Sequence, residues 1–469
     1  MPRTSVKIKK HLSFDALRQG LSDLFESLDD HRVQGRCTHS LHDAFMSGFA
    51  CMFFQAPSLK HFQERLQETE HNSNLRTLFN VTSIPKDAQL RDIIDQIDSE
   101  ALRPVFKDYF ERLRRGKHLE SYQILPSQYL CSIDGVHYHT SENIHCDHCL
   151  TKRHKDGSTT YHHATVQGAF MPPEYRQVIP TMPEPIANSD GADKQDCEIN
   201  AAKRYLKKLK SDHPRLGITI AGDGLFSKAP MIEEVLRHKM NYLFVAKPGD
   251  HQYMMEWIAA YDTLPEVISQ DIKGRKHRYT YINQVPLNGQ ESAPLVNYIH
   301  YELTNEKGKV TYRNSWVTNH EINDSNAAKL AKAGRCRWKI ENECFNTLKN
   351  QGYYLEHNFG HGNKHLSHNM YLLALLAFFF HQIFKLTDPA YQRCRSTTCS
   401  KRFLWETFRT LIRFFIFDSW NDVMLKLMKD RGGIPVLEKI EVSFNANQCA
   451  LLRRACPACS KCSNRETPI

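Results

Sequence analysis

No apolar run in the 469 residues reaches the roughly 18 to 20 that a membrane-crossing helix needs. The opening segment, MPRTSVKIKKHLSFDALRQG, lacks the apolar middle of a secretory signal. Both absences lead to the expectation of a cytoplasmic protein with no membrane partner. Internal repeats and low-complexity tracts are missing as well, which argues against solenoids and repetitive linkers. An acidic balance is also lacking: 62 Lys and Arg face 52 Asp and Glu, a formal charge of +10. That excess favours a polyanionic partner without proving one. The 14 cysteines do not imply disulfides, because a reducing cytosol keeps them as thiols or metal ligands.

What is present exceeds one small core: 41% of a 469-residue chain is apolar, so two to four domains are expected. Residues 1–120 read as helical, with apolar residues three and four apart in FDALRQGLSDLFESL and LRPVFKDYFERLRRG. Between them VTSIPKDAQLRDIIDQI supplies a turn, a proline and another amphipathic helix. The pattern then turns to β, with YLCSIDGVHYHTS, TTYHHATVQGAF and YRQVIPTM as three successive strands. The helix DCEINAAKRYLKKLKSDHP, the strand LGITIAG, the helix KAPMIEEVLRHKM and the strand NYLFVAKP follow, giving βββαβαβ. A β-rich insertion, about 249–320, precedes a return to helix from Ile322. MYLLALLAFFFHQIF reads as a buried helix. The expected fold is α/β: a mixed sheet flanked by helices over 121–385, interrupted by the insertion. A helical N-terminal domain precedes it, and a helical C-terminal region, 386–469, ends in a Cys-rich tail.

Three carboxylates stand out. Asp134 interrupts an apolar strand and is followed by Gly135, which leaves the backbone approachable. Asp223 lies between Gly222 and Gly224, just past the end of LGITIA, where open α/β sheets display ligand groups. Each also reads as an ordinary turn or cap residue. Glu341 is the third. Two Asp at strand ends and a Glu on a helix packed against the same sheet would converge on two divalent cations about 4 Å apart. Oxygen ligands of this kind suit Mg²⁺. Arg337, Glu341, Phe345 and Lys349 are spaced four apart, which puts Arg, Glu and Lys on one helical face. A plain salt-bridge ladder would look the same. A carboxylate that holds metal at a DNA phosphate, however, must sit among cations that hold the DNA.

Through SIDGV, AGDGLF and RWKIENECFNTLK the chain resembles bacterial insertion-sequence transposases of the DDE type, over roughly Tyr129 to Leu376. The resemblance implies a ribonuclease H-like core with a β-strand insertion. It implies Asp134, Asp223 and Glu341 as catalytic, metal-binding residues for two Mg²⁺ (or Mn²⁺) ions, and strand cleavage and strand transfer at the ends of a mobile element. Arg337 and Lys349 would hold phosphates and the N-terminal helices would bind the element ends. A homodimer on double-stranded DNA and a prokaryotic, nucleoid-associated location follow from the same likeness. In the family the helix carries Tyr, two residues, Arg, three residues, Glu, six residues and Lys. Arg337 and Glu341 fit, but Gly334 stands at the Tyr position and Leu348 at the Lys position, with Lys349 one residue late. Glu343 competes with Glu341; the order RWKIE favours Glu341, and Glu343, about 200° further round the helix, would face solvent or a partner. Trp316 stands where some members hold a flipped base, and also reads as a core residue. A DNA-binding descendant that no longer cuts, and a nuclease without strand transfer, are the alternatives.

Two cysteine clusters remain. HCDHC, with Cys146 and Cys149, precedes His154, His162 and His163, without a second ligand pair at standard zinc spacing. In the tail Cys449, Cys456, Cys459 and Cys462 supply enough thiolates for one tetrahedral Zn²⁺. The loop EHNFGHG, from Glu356, is expected to shape a turn, with DNA contact as a second role.

Overall fold

The β signals of the middle of the chain build one mixed sheet. The computed structural model describes residues 10–428 apart from 34, 68–72 and 189–194, so the tail cysteines and the zinc expected there lie outside the described residues. The strands are β1 (Gln123–Leu125), β2 (Gln128–Ser141), β3 (Leu150–Arg153), β4 (Thr159–Phe170), β5 (Ile179–Pro180) and β6 (Glu184–Ile186). They continue as β7 (Gly217–Gly222), β8 (Asn241–Val245), β9 (Glu266–Gln270), β10 (Lys276–Pro286), β11 (Leu295–Thr304) and β12 (Val310–Thr318). Across the sheet the order is β3-β4-β2-β7-β8-β12-β11-β10-β9, with β1 on β2 and both β5 and β6 on β4. β4 runs antiparallel to β2, whereas β2, β7 and β8 are parallel to one another. Parallel strands need crossovers, and the helices Glu198–Asp212 and Ala229–Arg237 supply them. The central strands are accordingly apolar almost throughout, as in the buried run of β7.

The insertion extends this same sheet, because β12 returns antiparallel onto β8 and the meander β12-β11-β10-β9 follows. It also contains a helix, Gln252–Ala259, which the strand-rich reading missed. A second correction concerns YRQVIPTM. Only Ile179–Pro180 of it pairs with β4, since prolines cannot donate to a ladder, and the outer strand of the antiparallel unit is β3 instead.

The helix Leu366–Thr387 is long and apolar enough to cross a membrane by composition, yet 89% of its most apolar window is buried within the protein. It lies against the helix Leu41–Phe53, whose residues are all buried. N-terminal and C-terminal helices share its aromatic core: Phe14 stacks on Trp420 at 4.9 Å, and Phe53 meets Trp405 edge-on at 5.5 Å. The helical regions on either side of the sheet domain in sequence are therefore joined in space. Asp95 ties the N-terminal helices to the long helix as well, accepting backbone N–H bonds from Asn363, Lys364, His365 and Leu366 at its start.

Candidate active site

The register of the parallel strands decides where the two aspartates go. Ser132 of β2 pairs with Ala221 of β7. Two residues on, Asp134 and Asp223 stand level on neighbouring strand paths and, by the two-residue alternation of a strand, on the same face. β2 continues beyond the end of β7 because β4 still pairs with it, Asp134 opposite Gln167. Asp223, released from the ladder, accepts the Leu225 N–H at 2.9 Å and turns the chain toward the next helix.

A fourth carboxylate comes in beside them. Glu198, in the first turn of its helix, accepts the Gly135 N–H at 3.0 Å. A Cβ at residue 135 would lie 2.7 Å from Glu198 Oε2, so this approach requires glycine there. By sequence alone Glu198 is indistinguishable from an ordinary acidic residue at a helix start.

Glu341 arrives on a broken helix rather than the continuous one expected from periodicity. An α-helical turn run, Ala327–Arg335, passes through a tight turn at Cys336 and Arg337 into a π-helical segment, Ile340–Phe345, and then an α-helical turn, Asn346–Asn350. Buried Lys339 staples the break by donating to the carbonyls of Pro172, Pro173 and Tyr175 after β4. Arg337 reaches across the gap: its Nη1 lies 3.3 Å from Asp134 Oδ2 and 2.7 Å from Glu341 Oε1. One guanidinium nitrogen thus separates the strand carboxylate from the helical one.

The π segment also accounts for the displaced lysine. Asn346 N–H bonds to the Glu341 carbonyl, five residues back, so one extra residue is taken up within the turn. Lys349, eight residues after Glu341, is thereby set back to the rotational position that the seventh residue holds in an uninterrupted α-helix. Leu348 is buried, and Lys349 is half-exposed and paired with Glu356 at 2.7 Å. A shared Arg–Glu–Lys ladder with strict four-residue spacing does not form beyond Glu341.

Residues 184–379 match the family described as the transposase DDE domain, and residues 22–110 match the one described as DDE_Tnp_1-associated. The chain belongs to the DDE transposases. The matched domain contains Asp223 and Glu341, whereas Asp134 joins them through the strand register. No curated protein matches the sequence. Among solved structures, the piggyBac transposase synaptic complex with hairpin DNA aligns at 10% identity over 84% of this chain and 85% of that one, with a TM-score of 0.36. A likeness that loose adds nothing to the assignment.

The remaining expected residues of the transposase separate clearly. Glu343 points away from the triad into a cleft it shares with Arg176, Lys385 and Lys401, and pairs with Arg176 at 3.8 Å. It therefore faces cations of its own chain rather than open solvent. Trp316 is fully buried in β12, and a Cβ on Gly334 would stand 2.5 Å from its ring. The expectation that Trp316 offers a platform to a flipped base gives way to a core role, and the missing Tyr at 334 is explained by the volume of that indole. Of the histidines beside Cys146 and Cys149, only His163 joins them; His154 bonds to Thr160 and His162 stacks on His137.

Electrostatically the site is short of positive charge. Burial pushes the Asp134 carboxyl up to about 6; Arg337 opposes the shift, and the charges of Asp223 and Glu341 add to it. Burial, then the charges of Asp134 and Asp223, push Glu198 up to about 7. Carboxylates this crowded, with a single guanidinium among them, make a donor set that a divalent cation fits.

The shift has a consequence for stability. A carboxyl raised on folding holds more protons folded than unfolded, so its ionisation destabilises the fold as pH climbs from the ordinary carboxylate range through the raised value. Buried His213 and His368, lowered by burial to about 4 and about 3, oppose this trend because they lose stability as pH falls. The informative quantity is therefore a difference. In metal-free protein, Glu198→Gln should raise the melting temperature relative to wild type, with the gain near zero below about pH 4 and growing through pH 7. A gain that is constant with pH would contradict the assigned environment of Glu198.

Proposed function

We propose that this transposase cuts and joins DNA at the ends of an insertion sequence, with Asp134, Asp223 and Glu341 as its catalytic carboxylates. The observation that carries the reading is that Asp134 and Asp223 each lie two residues beyond the paired Ser132 and Ala221 of parallel strands, with Arg337 linking Asp134 to Glu341. The three side chains would hold two Mg²⁺ (or Mn²⁺) ions, an all-oxygen set appropriate to such cations. Bound there, the ions would activate a water or a DNA 3′-hydroxyl as nucleophile at neutral pH and stabilise the leaving oxygen. Arg337 would exchange its carboxylate partners for a DNA phosphate as the carboxylates turn to metal, and Glu198 would keep its proton beside the Gly135 N–H. Lys349 would hold a backbone phosphate. The N-terminal helices, within residues 1–120, would bind the element ends, two copies of the chain would bring two ends together, and the protein would act in a prokaryotic cytoplasm on the nucleoid.

A labelled element end, a target plasmid and Mg²⁺ test this directly. Joined products that vanish with Asp223→Asn support transposition. Cleavage without joining would identify a nuclease, and undiminished binding with no product would identify a silent DNA-binding descendant. For Lys349→Ala the expected result is weaker binding to all sequences, with the slope of log affinity against log salt reduced by about one. An unchanged slope would remove Lys349 from the phosphate contacts.

A further inference from the structure

The two sulfurs of HCDHC are joined by histidines from two distant parts of the chain. Cys146 and Cys149 sit in the loop before β3, His163 on β4, and His361 in the glycine-rich loop that follows the Glu341 helix. Their four ligand atoms all lie within 4.8 Å of one another. Cys146 Sγ and Cys149 Sγ are 4.0 Å apart. Sulfur-to-nitrogen separations are 3.6 Å for Cys146–His163, 3.4 Å for Cys149–His163 and 3.4 Å for Cys149–His361. The two imidazole Nε2 atoms are 3.1 Å apart.

These are close to the edges of a tetrahedron around zinc. Bonds of about 2.3 Å to sulfur and about 2.0 Å to nitrogen give edges of about 3.8 Å between sulfurs, about 3.5 Å between sulfur and nitrogen, and about 3.3 Å between nitrogens. Two thiolates neutralise the dication, and sulfur with imidazole selects against Mg²⁺. An iron–sulfur cluster would need its ligands divided among two or more irons, whereas here all four converge on one point. The surroundings are prepared for the ion as well. The Cys146 N–H points to Cys149 Sγ at 3.5 Å, and His361 Nδ1 donates to the Gly362 carbonyl at 2.8 Å, which leaves Nε2 free to ligate. Gly360 and Gly362, both at positive φ, let the chain fold tightly around His361. Cys149, His163 and His361 are buried.

We propose that Cys146, Cys149, His163 and His361 form a structural Zn²⁺ site. Four protein ligands leave no position open for substrate, so its work is mechanical. It fastens the loop after the segment carrying Glu341 and Lys349 to the β2–β4 pair that carries Asp134. His163 lies four residues from Gln167, the partner of Asp134, or about 13 Å along the strand. The site does not depend on the catalytic reading given above.

Metal analysis of the purified full-length protein tests the proposal, with the tail handled separately by a variant in which Cys449, Cys456, Cys459 and Cys462 are serine. That variant should retain one equivalent of zinc per chain, and adding His361→Ala or Cys149→Ser to it should abolish the zinc. Because those changes could unfold the region, His361→Cys provides a second reading. It should keep the metal, and after cobalt substitution its thiolate-to-metal absorption per cobalt should rise in proportion to three sulfurs instead of two. Zinc absent from the tail variant, or unaltered by the core substitutions, or a cobalt band unmoved by His361→Cys, would overturn the proposal.

Discussion

Asp134→Asn and Asp223→Asn are each expected to lower strand cleavage and joining by roughly 1000-fold or more, while DNA binding stays within a few-fold of wild type. A lost metal ligand removes several kcal/mol of charge stabilisation at the reacting phosphate. Each 1.36 kcal/mol is a factor of ten in rate. Binding should survive because neither aspartate is a cation, and the phosphate contacts that dominate affinity come from Lys and Arg. Glu341→Gln should behave in the same way, and Glu343→Gln should leave chemistry nearly unchanged, since Glu343 faces Arg176, Lys385 and Lys401 across a different cleft. Quantified cleavage and strand-transfer products from the four variants decide the matter. Reversal of the Glu341 and Glu343 results would move the third carboxylate to the other side of the π segment.

Gly334→Tyr, which places a Tyr where the pattern of the resembled family expects one, should destabilise the protein by about 3 kcal/mol, at the upper end of overpacking costs. The new Cβ alone would stand 2.5 Å from Cε2, 2.6 Å from Nε1 and 2.8 Å from Cδ2 of Trp316. These are ring atoms of a wholly buried indole, and protein interiors are close-packed. Gly334→Ala should cost less, and Trp316→Ala should lose the packing of a large aromatic on its own. Combined, Gly334→Tyr and Trp316→Ala should be markedly less damaging than the sum of the two, because each substitution removes the other's fault. Unfolding midpoints of wild type, both single variants and the double variant complete the cycle. Strict additivity would contradict direct packing of the two positions.

How far the sequence could be read follows from what each residue does locally. Asp134 and Asp223 were legible because each breaks an apolar strand beside a glycine, a pattern that survives without tertiary information. Arg337 and Glu341 were legible through their spacing on one turn of helix. The π segment was not, because a 3.6-residue period has no signature for one added residue, and Lys349 therefore read as misplaced. Glu198 was hidden because an acid in the first turn of a helix is unremarkable until Gly135 is found against it. The exchange of volume between Gly334 and Trp316 joins a helix to a strand and has no local trace. His361 stands 198 residues from His163, so no spacing rule could have completed the Cys₂His₂ set. At fold level the parallel strands announce themselves by their apolar runs, whereas the proline-bearing YRQVIPTM has the apolar content of a full strand without pairing as one, and β3, with its exposed Thr151, Lys152 and Arg153, carries no apolar run.

The most direct measurement is anomalous diffraction from crystals of the transposase soaked in Mn²⁺. Manganese should be found between the carboxylates of Asp134, Asp223 and Glu341, and Asp223→Asn crystals under the same soak should lose that density. Manganese bound elsewhere on the protein, with none shared by Asp134 and Asp223, would contradict the assignment of these side chains as the catalytic metal ligands.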